Sequence, residues 1–165
     1  MASRHLSRSL VLQSLFESDM INELTLDHAR VVLARNIAEF SLGDSDRTFA
    51  ESLLTNIFVK RGEIDAVIEK AAPQWPLDKI APVDRNVLRI GLYELLFGDR
   101  TSVPPKVALN EAIEIAKSYG GDASGKFVNG VLGAVYREIG EPQKNEIKGE
   151  AIKEERLGGA VVVAT

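Results

Sequence analysis

Cysteine is absent from the 165-residue sequence, which excludes disulfides, thiolate nucleophiles and Cys-ligated zinc or iron–sulfur sites. Histidine is scarce. His5 and His28 are the whole supply, and neither has the His-x-x-x-His or carboxylate spacing of a metal site. A metal centre would have to be assembled from scattered Asp and Glu, so no metal and no cofactor is expected. No run reaches the roughly 18 apolar residues of a membrane span, and MASRHLSRS lacks the apolar core of a secretory signal. A cytoplasmic location away from membranes is the expectation. Strand signals are confined to the terminal VVVA. What is present is a 45% hydrophobic, 27% charged composition, enough to bury the core of one ordinary domain and too apolar for disorder. Twenty basic against 24 acidic residues give a net charge of −4. That balance argues against indiscriminate coating of DNA and leaves room for a local basic patch.

Apolar residues recur at three-and-four spacing from end to end, which predicts an all-α fold of about seven helices. The first runs from Ser3 to Met20, and Asn22 and Thr25 break and recap the chain. The second carries Leu26, Ala29, Leu33, Ile37 and Phe40 inward and is expected to stop at Gly43. A third ends near Gly62, and a short fourth covers residues 63–72. PQWPLDKIAP, with Pro73, Pro76 and Pro82, is the strongest punctuation and predicts a break between two small bundles near 73–82. Pro82 then opens a helix to about Phe97 that is apolar on most sides, as a central helix would be. The last two span about 105–120, closed by Gly120-Gly121, and 124–139, capped by Ser124. Gly130 and Ala134 on the latter would admit a close neighbour. Residues 1–139 form the helical domain, and the charged segment 140–165 reads as a flexible tail.

The candidate chemistry is sparse. No acidic pair shows the inward Glu-x-x-His pattern of di-metal bundles, and no catalytic residue is assigned; the chain is not expected to be an enzyme. Glu94, embedded in GLYELLF, lies either on a narrow wet stripe or beside Arg85 or Arg89, with a structural role favoured. Gly120-Gly121 lacks the Walker A and Rossmann patterns, although a nucleic-acid phosphate could sit at the following helix N-terminus near Lys126. Residues 1–16 contain no acid. Within them Arg4, His5 and Arg8 cluster, with Arg4 and Arg8 one turn apart. They are either a solvated helix end or an arginine-rich entry for RNA phosphates.

Taken together, VDRNVLRIGLYEL at 83–95, VPPKVALNEAIEIAKSYG at 103–120 and KFVNGVLGAV at 126–135, preceded by RSLVLQSLFESD at 8–19, closely resemble the NusB family of bacterial transcription antitermination factors. The resemblance covers about residues 3–139. It implies two small helical bundles packed as one domain, no catalytic activity, and binding of boxA-type nascent ribosomal RNA together with NusE, a protein of the small ribosomal subunit. It also implies indirect association with NusA, NusG and RNA polymerase; homodimers occur in the family. By position it implies RNA contacts for Arg4, His5, Arg8, Gln13, Phe16, Tyr119, Lys126 and Phe127, and a partner contact for Asp84. Core packing competes for Phe127, which shares a stripe with Val131 and Val135, and helix capping competes for Asp84. Leu6 stands where the family is often basic, so unaided RNA affinity should be reduced and strongly salt-dependent. Two other classes remain open: a protein-interaction or dimerisation module, and the RNA-recognition fragment of a ribosomal RNA cytosine methyltransferase.

Overall fold

A computed structural model describes residues 2–139; the predicted tail, 140–165, lies outside the described residues. The fold is all-α: α1 (Ala2–Met20), α2 (Leu26–Phe40), α3 (Asp44–Ala71), α4 (Pro82–Leu96) and α5 (Pro105–Ile139), with one 3₁₀ turn at Leu77–Lys79. The chain divides into two compact units, one up to Lys60 and one from Arg61 onward. The division falls within α3, and the proline-rich stretch read as the break between bundles lies inside the second unit.

In the first unit α1 packs on α2. Leu10, Val11, Leu12 and Leu15 are almost fully buried, each contributing about 1.5–3 kcal/mol of apolar transfer. Two of the buried serines of α1 are satisfied within the helix: Ser9 Oγ donates to the His5 carbonyl at 3.1 Å and Ser14 Oγ to that of Leu10 at 2.8 Å. The predicted break holds. Asn22 adopts a left-handed φ of 57°, and the Thr25 hydroxyl accepts from the His28 backbone N–H at 3.2 Å, an N-cap. The stop of α2 differs. Ser41, not Gly43, takes the left-handed conformation with φ 50°, and Phe40, assigned inward, is 49% exposed.

α3 is one helix of 28 residues where two were expected. Leu53, Ile57, Ile64 and Ile68 are all buried, so the apolar stripe runs straight past Gly62, whose helix-interior cost of about 1 kcal/mol is too small to end it. The two helices expected over 105–139 both form, and α5 is their run across a kink, so only the third and fourth expected helices are truly fused. The two halves of α5 are joined at Gly121, whose φ of 84° and ψ of −174° are non-helical. That region of backbone space is open essentially to glycine alone, and it turns the chain without a loop. Helix resumes at once, so Ser124 lies inside the second arm and does not cap it.

α4 is buried along nearly its whole length and packs on α5 in the second unit. A Cβ added at Gly91 would stand 2.7 Å from Leu132 Cδ1 and 3.1 Å from Ala112 Cβ, which lie on the two arms of α5. The close approach expected at Gly130 is thus located at Gly91; Gly130 is exposed, with open space around its Cβ position. Glu94 is 3% exposed, which removes the wet-stripe reading. Arg89, also 3% exposed, donates to Asp65 at 2.9 and 3.2 Å and to Asn86 at 2.7 Å. None of the described helices is long and apolar enough to cross a membrane.

Candidate nucleic-acid interface

The arginine cluster on α1 is not the free basic patch that the sequence suggests. Arg4 Nε lies 3.4 Å from Asp46 Oδ1, and Arg4 also reaches the Ser45 hydroxyl at 3.4 Å. Its guanidinium stands 4.3 Å over the ring of Phe49, with that of Arg8 5.0 Å from the same centroid. Both distances are within cation–π range. The start of α3 therefore supplies, in space, the acid that residues 1–16 lack, and an aromatic between the two cations. The Ser7 hydroxyl adds a bond to the Asp46 carbonyl at 3.2 Å. Arg8 is 3% exposed, whereas the Arg4 side chain is 38% exposed. Of the two predicted phosphate ligands, Arg4 is accessible and Arg8 is largely a packing residue.

His5, Gln13 and Phe16 are half-buried. At about 100° per helical residue they fall on one arc of α1, adjacent to that of Arg4 and Arg8. Beside them Arg35 of α2 donates to both carboxylate oxygens of Glu17, at 2.9 and 2.7 Å, an exposed bidentate pair worth at most about 1 kcal/mol.

The second unit holds the remaining candidates. Tyr119, 43% exposed, ends the first arm of α5; Lys126 is exposed on the second arm, and Phe127 is half-buried. The elbow at Gly120-Gly121 sets the two arms. A Cβ at Gly120 would sit 2.6 Å from the Ser124 Cβ, so only glycine lets the elbow close. Val128, Val131 and Val135 form the buried stripe, and Phe127 borders a cleft of about 340 Å³ lined also by Trp75, Lys79, Ile80, Ala81, Asp84, Ala123 and Ser124.

Asp84, singled out as a partner contact, is 9% exposed, and its Oδ1 is buried with no hydrogen-bond partner. Asp84 lies in the first turn of α4, whose N-cap residue is Ala81. Phe49, Trp75 and Lys79 were not singled out from the sequence. The only local signal at Trp75, the single tryptophan, is its place between Pro73 and Pro76, and Phe49 has the helical spacing of an apolar stripe with Leu53 and Ile57.

These groups suit contact with a polyanion or a partner surface: an all-α protein with cations, half-exposed aromatics and a sequestered acid. The model of the NusB family matches residues 5–137. A relative named transcription antitermination protein NusB, from Chloroflexus aggregans, is 40% identical over 147 residues, covering 88% of this chain and 95% of its own. One of the same name from Desulfitobacterium hafniense is 39% identical, over 83% of this chain and 90% of its own. Among solved structures, T. maritima NusB superposes with a TM-score of 0.73 at 32% identity, covering 88% and 97% of the two chains. A chain from the crystal structure of antitermination factors NusB and NusE in complex with dsRNA superposes with a TM-score of 0.71 at 28% identity, covering 83% and 98%. The chain belongs to the NusB family.

Proposed function

We propose that this chain is a transcription antitermination factor that binds boxA-type nascent RNA together with NusE and so joins the RNA polymerase antitermination complex, with NusA and NusG as indirect partners. The observation that carries the reading is the family membership over residues 5–137, together with the likeness to a relative whose structure holds NusE and RNA. Arg4, His5, Gln13 and Phe16 on α1, and Tyr119, Lys126 and Phe127 on α5, are the residues assigned to the RNA. Cations neutralise phosphates and aromatic faces accept unpaired bases. Arg8 acts through Phe49, holding α1 against α3.

Because Arg4 is already paired with Asp46, the chain alone should bind RNA weakly, and the partner should supply much of the affinity. The test is a fluorescence-anisotropy titration of boxA RNA and of a scrambled RNA, with and without NusE. Tight, partner-dependent binding of boxA over the scrambled sequence is the expected result; equal binding of both by the complex would overturn the specific reading. The engagement of Arg4 and Arg8 by Asp46 and Phe49 also favours a second reading, a protein-interaction module without RNA binding. NusE binding with no RNA affinity in any state would select it.

A further inference from the structure

One face of α3 carries side chains that a solvated helix seldom prefers. At about 100° per residue, Ser45, Thr48, Ser52, Thr55, Asn56 and Val59 share a single arc, and no charged residue between positions 45 and 59 falls within it. All but the half-buried Thr55 are exposed. Glu, Lys or Ala would support an exposed helix better than Ser, Thr and Asn do, so local stability does not explain the stripe. An arginine reaches it towards each end. Arg4 of α1 donates to the Ser45 hydroxyl at 3.4 Å, and Arg30 of α2 donates to the Thr55 hydroxyl at 3.4 Å. The far end opens on a cleft of about 540 Å³ between α2 and α3, where Ser52, Thr55 and Asn56 stand with Arg30 and Glu51. From this arrangement we infer that the stripe is a track for the sugar–phosphate backbone, carrying the RNA strand from Arg4 to Arg30; this rests on the RNA-binding function proposed above.

Spacing and chemistry select the occupant. At the α-helical rise, about 15 Å of α3 separate Ser45 from Thr55. That length spans about four nucleotides at the ~3.4 Å rise of a stacked strand. The two arginines take phosphates at either end, and the hydroxyl and amide groups between them donate to phosphate oxygens and meet 2′-hydroxyls, which both donate and accept. A protein partner would find little to bury. The cores of such contacts are rich in aromatic and large apolar side chains, and Val59 is the one member of the stripe of that kind. Phe49, under the Arg4 guanidinium, borders the first turns of the stripe and makes the track continuous with the proposed RNA face on α1. Glu51, on the cleft wall, opposes the phosphates. The track therefore extends the grip of Arg4 on the RNA and does not replace it.

The probe is boxA RNA against the same strand lengthened by about four uridines at its 5′ or its 3′ end, titrated by anisotropy into the full chain with NusE. One of the two extended strands is expected to bind several-fold tighter than the short one, and to steepen the dependence of log K on log salt by about 0.7 for the added phosphate contact. In Arg30→Gln the extended and short strands should bind alike. They should also bind alike in Ser52→Glu, where an anion stands in mid-track, while the melting temperature holds or rises because Glu is the better helix former. Loss of the gain without loss of stability is a result that a merely structural role would not give. Equal affinity of the wild type for all three strands, with boxA binding intact, overturns the track but not the function, and so does a gain that survives either substitution. Absence of RNA binding under all conditions overturns both. A Ser52→Glu variant that keeps the gain but loses affinity for NusE assigns the stripe to a protein partner and overturns the inference.

Discussion

Arg4 Nε lies 3.4 Å from Asp46 Oδ1, so a carboxylate at the start of α3 holds the one well-exposed arginine of the cluster on α1. The pair sets the basal electrostatics of the proposed RNA face. Asp46→Asn should release Arg4 for a phosphate, raising RNA affinity and steepening the dependence of log K on log salt by about 0.7 for one added contact on a single strand. Arg4 is more than a third exposed, so stability should hardly change. Anisotropy titrations at several salt concentrations measure the first, and thermal melts the second.

The two arginines should separate by phenotype. Arg4→Ala is expected to weaken RNA binding and flatten the salt slope while leaving the fold intact. Arg8→Ala removes a 3% exposed side chain from beside Phe49 and should cost about 1–3 kcal/mol of stability, as buried packing and a cation–π contact are lost. Urea denaturation of both variants distinguishes them. Equal destabilisation by the two substitutions would contradict the assignment.

Asp65 and Arg89 pose a different risk. Arg89 is 3% exposed and chelates Asp65, so Asp65→Ala removes an ion pair and two hydrogen bonds from a buried guanidinium. Destabilisation of about 3–5 kcal/mol is expected. Replacing both residues with apolar side chains of similar volume should recover much of it, and chemical denaturation of the single and double variants reads the coupling.

Two glycines carry the geometry of α4 and α5. Gly121→Ala forces a Cβ into a backbone region that non-glycine residues populate at a cost of about 1–3 kcal/mol, and should lower the melting temperature. Gly91→Val drives a branched side chain into Leu132 and Ala112, and overpacking of about 1–3 kcal/mol or more follows. Gly130→Ala, by contrast, points into open space and should raise stability by up to about 1 kcal/mol through helix propensity.

In the loop between α4 and α5, the Thr101 hydroxyl donates to Asp99 at 2.7 Å, with the Thr101 backbone N–H and the Ser102 hydroxyl also donating, and these bonds hold the Asp99 carboxyl below its ordinary value. A folded-state pKa depressed in this way contributes stability above the unfolded-state value of 3.8 that is lost as pH falls through the folded value. An NMR titration of the carboxyl carbon should show a midpoint below that of an unstructured Asp, restored towards it in Thr101→Val.

Much of the helical architecture was legible because helix boundaries are written in local chemistry. Thr25 caps, Asn22 turns, and Pro82 starts a helix through preferences that need no tertiary contact. Gly62 misled for the same reason. Local punctuation suggests a stop, but the stop is decided by burial on either side of it, of Leu53 and Ile57 before Gly62 and of Ile64 and Ile68 after it. Gly91 and Gly130 exchange roles likewise, since which small residue meets a neighbour depends on the neighbour.

The sequence by itself determined the all-α class, the family through four ordered motifs, and the exclusion of thiol chemistry, all of which depend on composition, periodicity and order along the chain. Only the tertiary structure decided that the acid-free opening of the chain is answered by Asp46, that Arg8 is buried, and that Asp84 is sealed beside Trp75 and Phe127 with an unpaired oxygen. Charge and burial act through space, over distances of a few ångströms that bear no relation to separation along the chain.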